Sequence, residues 1–425
     1  MKQILLTVSL IVAMMASASA QTGCGANGRY IRKIFTVNTA PTTVTFGKNT
    51  DLGGVMKTLK MDIYRPDGDT ETNRPVMMVA YGGSFITGTR NGGDVTPIAK
   101  AWAARGYVTV SIDYRLIPFL QARTADSILF VKEVVSAVAD YKAAVRFLRM
   151  TAATGNPYGI NPDLIFAGGV SAGSIAAMHA AYLRTESDAP PFVRTYLLQQ
   201  GGIHGNTDLP GNSCMAYSDS IMGIYNICGG LYRKEILDAG EVPIVSIHGT
   251  ADNTVPYGFA YANPGTGNII TIEGSGNVAL RATAVGVTNS LITVPNGGHF
   301  TFINQAAPGG VNESWGDSLD HVGARFFYNL FENQLCVATE NEGRAIPMTL
   351  APNPAHGEFT LRLPEVPSTY ALTVSDLLGR VVYSQRSDRS EESVSCSNLP
   401  KGAYLVRLVF DDTTVKPVTQ KVIVE

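Results

Sequence analysis

Hydrophobic and polar positions follow one rhythm in most of this chain and a different one after about residue 336. In the first part, short apolar runs bounded by turn residues alternate with longer stretches whose apolar residues recur at helical spacing. The expected strands are LKMDIYRP (Leu59–Pro66), VMMVAYGG (Val76–Gly83), YVTVSIDYR (Tyr107–Arg115), LIFAGG (Leu164–Gly169), TYLLQQGG (Thr195–Gly202), IVSIHGT (Ile244–Thr250) and LITVPNGG (Leu291–Gly298). Several have no polar face, as befits strands buried on both sides of a mostly parallel sheet. SILFVKEVVSAVADYKAAVRFLRM (Ser127–Met150) and a last stretch of roughly Ser318 to Leu335 are expected helices. Strand–helix alternation of this kind predicts a doubly wound α/β domain.

Beyond Cys336 the segment VATENEGRAIP is polar and reads as a linker. The period then becomes two. In EFTLRL, Phe359, Leu361 and Leu363 share a face, and in AYLVRLVF, Tyr404, Val406, Leu408 and Phe410 do. The turns NPAHG, DLLGR and NLPKG separate such runs, which predicts a small antiparallel β-sandwich. The expected organisation is a leader over residues 1–20, an α/β domain over 21–337, a linker over 338–345 and the sandwich over 346–425.

Composition adds modest limits. Lysine and arginine number 33 against 35 acidic residues, a formal charge of −2, so bulk charge recruits neither nucleic acid nor an anionic membrane. The N-terminus is more telling. Lys2, the apolar run ILLTVSLIVAMMA and Ala18-Ser19-Ala20 have the order of a secretory signal peptide cut before Gln21. No later stretch reaches about 18 apolar residues, so no integral membrane span is expected. Export permits disulfides, and Cys214–Cys228 and Cys24–Cys336 are the two pairs considered; Cys396 is left as a buried small side chain.

Candidate chemistry centres on GGVSAGS, where Gly169-Val170-Ser171-Ala172-Gly173 gives G-x-S-x-G between a strand pattern and a helix pattern. A nucleophile elbow places its serine on such a turn, with the triad partners following in the order Ser, Asp or Glu, His. Asp252, in HGTADNTVP, and His299, in PNGGHF, each follow an expected strand in that order. The expected catalytic set is therefore Ser171, Asp252 and His299. His179, His248 and His321 read as packing or core histidines, His204 as structural or near the pocket, His356 as part of the β-domain away from this chemistry, and Asp113 as ordering backbone or pairing with Arg115. The backbone N–H of Ala172 is one expected oxyanion donor, and the loop VAYGGSFITG supplies the rest.

Together, YGGSF, DYRL, YGINP, GVSAG, HGTADNTVP and GGHF resemble, in the same order, the signatures of the carboxylesterase and hormone-sensitive-lipase-like branch of the α/β-hydrolases. The resemblance spans most of residues 57–335 and implies that Gly83, Ser84 and Ala172 form the oxyanion hole. Tyr81 and Ser84 depart from the HGGGF pattern of that branch, which bears on the preferred acyl or alcohol group. NPAHGEFTL, DLLGRVV, LPKGAYLVRL and KVIVE resemble the type IX secretion sorting domain of Bacteroidetes. That resemblance implies type IX secretion machinery as partner and export through the periplasm to the surface or medium; a substrate-binding sandwich is the alternative.

The leading expectation is a secreted serine esterase acting through an acyl-enzyme on ester-decorated polysaccharide or short acyl esters. The alternatives are a serine peptidase of the prolyl-oligopeptidase type and a non-catalytic binding module. No cofactor or metal is expected, since no ligand cluster suggests one. A cap is expected from Ile203–Glu241 or from the segment before residue 57.

Overall fold

The computed structural model describes residues 28–122, 125–209, 211, 213–263, 267, 269–299, 313–339, 346–376, 381–412, 415 and 417–425. The expected leader and the Cys24–Cys336 pair lie outside the described residues and side chains. Two compact units result, one within Met1–Glu332 and one within Asn333–Glu425.

The first unit contains strands β1 (Thr42–Thr50), β2 (Met56–Tyr64), β3 (Arg74–Ala80), β4 (Val108–Ile112), β5 (Ile160–Val170), β6 (Ile224–Ile227), β7 (Gly230–Leu231), β8 (Ile244–Gly249), β9 (Phe259–Tyr261), β10 (Thr271–Gly274) and β11 (Asn289–Val294). Eight of them form one sheet in the order β1-β2-β4-β3-β5-β6-β8-β11. Pairing is antiparallel from β1 to β4 and parallel from β4 to β11. Every residue of β3, β4, β6 and β8 is buried, which is why these strands are largely apolar, their few buried polar side chains, such as Asn226, Ser246 and His248, being hydrogen-bonded. The helices are α1 (Thr96–Ala103), α2 (Phe119–Ala122), α3 (Ser127–Ala153), α4 (Ala172–Tyr182), α5 (Arg194–Gln199), α6 (Ser275–Ala284) and α7 (Glu313–Thr339). They cover the sheet as an α/β-hydrolase fold. Trp102 of α1, Phe166 of β5 and Phe327 of α7 meet in one aromatic cluster. Tyr141 of α3 donates its hydroxyl to the Gly168 carbonyl at 2.8 Å, tying the longest crossover helix to the strand that carries Ser171.

One expected strand is a helix. Thr195–Gly202 falls on α5, where Leu197 is buried against Val131, Val135 and Val193 while Leu198 is 62% exposed. The strand between β5 and β8 is instead Ile224–Ile227, a short apolar run between Gly223 and Gly229. The segment Ile203–Glu241 is thus not a cap as a whole, because its middle is a central strand of the sheet.

In the second unit, β12 (Thr349–His356), β13 (Glu358–Arg362), β14 (Tyr370–Asp376), β15 (Val381–Ser387), β16 (Glu391–Ser395), β17 (Gly402–Phe410) and β18 (Val418–Val424) pair in the order β15-β14-β17-β18-β12-β13-β16. The pairing is antiparallel except for one parallel contact of β12 with β18. The two alternating faces read from the sequence, with Phe359, Leu361 and Leu363 on one and Tyr404, Val406, Leu408 and Phe410 on the other, share a single core that also buries Cys396.

Candidate active site

β5 ends at Val170 and α4 begins at Ala172, leaving Ser171 alone on the turn with φ +52° and ψ −115°. A non-glycine residue in that region is strained and is held there only by tight surroundings. A Cβ on Gly169 would sit 2.5 Å from the Ala80 carbonyl oxygen, and one on Gly173 would sit 2.1 Å from the same atom. The glycines therefore let β3 pass directly beneath the turn. The Ser171 N–H donates to Ile227 O at 2.8 Å, which fixes the turn to the end of β6.

The loops after β8 and β11 bring the other two residues to this serine. His299 Nε2 is 2.8 Å from Ser171 Oγ, and His299 Nδ1 is 2.6 Å from Asp252 Oδ2. All three residues are buried. Asp252 Oδ1 accepts from the N–H groups of Thr254 and Val255 at 2.8 and 2.9 Å. Burial opposes ionisation of Asp252, but bonds from His248 and His299 outweigh it and hold the carboxyl down at about 2. An ionised carboxylate can only accept, so Nδ1 of His299 carries the proton and Nε2 offers its lone pair to the serine hydroxyl.

The loop after β3 flanks the serine. Gly83 has φ +114°, and a Cβ there would overlap the Thr87 carbonyl oxygen at 2.1 Å. Ser84 and Phe85 also have positive φ, +57° and +58°. The loop is held by Asp94, which accepts the Gly82 N–H at 2.8 Å, and by a reciprocal pair of tyrosines. Tyr81 Oη donates to Tyr114 O at 3.2 Å, Tyr114 Oη donates to Tyr81 O at 2.8 Å, and the rings stack with centroids 4.4 Å apart. Tyr81 and Tyr114 belong to the YGGSF and DYRL segments, so the substitution of tyrosine at position 81 supplies a latch between them. Among the described residues, the N–H groups of Gly83, Ser84 and Ala172 donate to no protein acceptor. Ser84 and Ala172 line the cavity that opens on Ser171; Gly83 lies in the same loop but does not line it.

That cavity has a volume of about 110 Å3 and walls that include Val131, Val135, Ile175, Leu183, Ile270 and Ile272. His179 also lines it. Its Nδ1–H donates to Ile175 O at 2.7 Å, its Nε2 accepts the Tyr232 N–H at 3.1 Å, and burial pushes its pKa down to about 4. The ring is neutral and presents no charge to the cavity.

Two cysteines differ from expectation, and Asp113 and His248 have partners beyond those expected. No disulfide joins Cys214 to Cys228. Cys228 ends the central strand β6, whereas Cys214 packs its sulfur 3.5 Å from Met150 Sδ on α3. The Cys228 thiol lies near Asp252 and His299, and burial raises its pKa, keeping it a thiol. Asp113 orders backbone as expected, accepting the Lys60 N–H at 3.1 Å, but its ion pair is with Arg90, and Arg115 is buried against Asp140. His248, read only as a core histidine, contacts Asp252; the signal available in the sequence was the four-residue spacing within HGTAD.

Residues 61–200 match the BD-FAE family of α/β-hydrolase esterases, and residues 349–425 match the secretion system C-terminal sorting domain. The chain thus joins an α/β-hydrolase fold, part of which matches an esterase family, to a stretch that matches a secretion sorting domain. No curated protein matches the hydrolase. Solved structures similar to it include Thermogutta terrifontis esterase 2 phosphorylated by paraoxon, at 20% identity over 68% of this chain and 94% of that one, with a TM-score of 0.46. The butyrate-bound form of the same esterase is similar at 19% identity over the same shares of the two chains, with a TM-score of 0.46. No described helix is long and apolar enough to cross a membrane.

Proposed function

We propose that the hydrolase is a serine esterase in which Ser171, His299 and Asp252 are the catalytic residues. The observation that carries this reading is the unbroken bond series from Ser171 Oγ through both nitrogens of His299 to Asp252 at the mouth of an apolar cavity. Ser171 Oγ attacks the ester carbonyl as His299 Nε2 takes its proton. Asp252 holds the imidazole in the needed tautomer and stabilises the imidazolium. The carbonyl oxygen, now negative, is received by the N–H groups of Ser84 and Ala172 with Gly83 beside them; loss of one such donor typically costs ~3 kcal/mol. His299 then protonates the departing alcohol, and water, deprotonated in turn by His299, releases the acid from the acyl-enzyme.

The substrate is a carboxylic ester, free or linked to a polysaccharide, whose acyl part is apolar. An apolar cavity of ~150 Å3 is known to take benzene, so 110 Å3 suits a short aliphatic chain. The match of residues 349–425 supports export by the type IX machinery to the cell surface or medium.

Hydrolysis of p-nitrophenyl acetate, butyrate and hexanoate by the full chain tests the reading. Burial of each added methylene is worth ~0.8 kcal/mol, so kcat/KM is expected to rise about fourfold per methylene until the cavity fills. Ile175→Trp is expected to remove the gain with hexanoate and spare acetate. Failure to cleave any of the three contradicts the esterase, and a flat series contradicts the acyl assignment.

A further inference from the structure

Asp252 is served by two imidazoles. Besides His299, the fully buried His248 approaches Asp252 Oδ2 through Nε2 at 3.2 Å, with Val255 O at 2.9 Å from the same nitrogen. Both neighbours are acceptors only, so His248 Nε2 carries a proton and shares it between them. On its other side, Nδ1 lies 2.7 Å from Ser275 Oγ and accepts the Ser275 N–H at 3.4 Å. Ser275 Oγ in turn receives Asn226 Nδ2 at 2.9 Å and lies 3.2 Å from Gly229 O. Asn226 also bonds Ser246 and Gly229 at 2.9 Å each. The edge of the His248 ring meets the Tyr257 ring, centroids 5.7 Å apart. The ring is thereby locked by β6, by β8 and by the start of α6.

The network has no structural need to end on Asp252. His248 already has Val255 O as a good acceptor, and Asp252 already has three other N–H donors. The extra contact falls on the oxygen that faces His299. Resting on the serine-esterase reading, we propose that His248 is a positioning residue for the reaction, acting through Asp252. It fixes Oδ2 in line with His299 Nδ1, and its N–H withdraws part of the carboxylate charge that His299 feels. A buried network in which every member is satisfied can hold such geometry tightly.

Of the titratable groups nearby, Asp252 bonds the ring and Tyr257, before β9, meets it, while His299 after β11 and Cys228 after β6 lie against Asp252 itself and Glu273 of β10 stands two residues before Ser275. Glu273 is occupied by Lys234 and Asn277. Among the described residues, Asp252 is the charged group that bonds His248, so the effect of replacing the ring is read through Asp252.

Three variants of the full chain test the proposal. His248→Phe keeps a planar ring without nitrogens, His248→Gln restores an N–H where Nε2 lies, and Ser275→Ala removes the partner of Nδ1. With p-nitrophenyl butyrate, His248→Phe is expected to lower kcat ~10–100-fold, the scale seen when groups that orient functional side chains are removed. KM should change little. The acid limb of kcat should move to higher pH, because Asp252 with one donor fewer draws the imidazolium more strongly. His248→Gln should recover most of kcat, and Ser275→Ala should fall between. The low-field proton resonance of the His299–Asp252 bond should shift in His248→Phe, a readout that needs no turnover. The proposal is overturned if His248→Phe keeps the wild-type kcat and pH profile, or if Phe and Gln lose activity equally with the low-field resonance unmoved. If wild-type protein shows that resonance and its shift but cleaves no ester, the serine-esterase reading fails and the coupling of His248 to Asp252 stands.

Discussion

Glu133, on α3, is fully buried, and neither of its carboxylate oxygens has a hydrogen-bond partner among the described residues. Burial raises its pKa to about 8; the attraction of Arg115 opposes this, and the nearby charges of Asp140 and Asp51 add to it. The folded protein therefore holds this proton at pH values where the unfolded chain has lost it. Between the ordinary glutamate value of 4.5 and about 8, the unfolded chain binds fewer protons, so stability falls as pH rises and levels off above that window. Glu133→Gln should be close to neutral at pH 5 and stabilising at pH 8, on the order of a few kcal/mol. Urea unfolding at the two pH values measures it; an unchanged difference between them would show that Glu133 is not the source. Asp252 behaves oppositely, since its bonds keep it ionised down to about 2. At this scale the sequence was readable where chain order and residue type constrain each other, as for Ser171, Asp252 and His299, which the fold brings together. It was silent about Glu133, because a buried carboxyl in a helix is visible only through what packs around it, and for His248 it offered only the four-residue spacing to Asp252.

At the scale of the element, the strands buried on both faces were legible, since nothing but an apolar run satisfies that environment. The same property produced the error at Thr195–Gly202. A six- to eight-residue apolar run does not distinguish a strand from a short helix, and TYLLQQ buries only Leu197 of its two leucines. IYNI, at only four residues, was lost within a Gly-rich stretch that resembled a cap. The disulfide expectation failed for the same reason. Cys214 and Cys228 would be near neighbours only if residues 203–241 formed one loop; instead Cys214 is buried against Met150 of α3, while Cys228 follows β6 in the central sheet. β1 escaped notice as well: TTVTFGKNT has few apolar residues, and it earns its place through backbone pairing with β2.

For the whole molecule, the change of period near residue 336 falls close to the division between two compact units at Glu332 and Asn333, and the second unit closes a core of its own. Residues 349–425 of the second unit match a sorting domain, and the proposed function assigns the chemistry to the first unit. Deleting residues 346–425 is therefore expected to keep ester hydrolysis in cell lysates while abolishing activity outside the cell, as cell fractionation would measure. Undiminished export of the truncated protein would refute the sorting role. The central claim is that Ser171 is a nucleophile, and covalent capture tests it most directly. The full chain, treated with a p-nitrophenyl phosphonate and mapped by peptide mass spectrometry, is expected to carry one adduct on Ser171 and to lose butyrate hydrolysis in step with labelling. Ser171→Ala should take no adduct, with kcat lower by ~10⁴-fold or more. An adduct elsewhere, or wild-type hydrolysis by Ser171→Ala, would contradict the account.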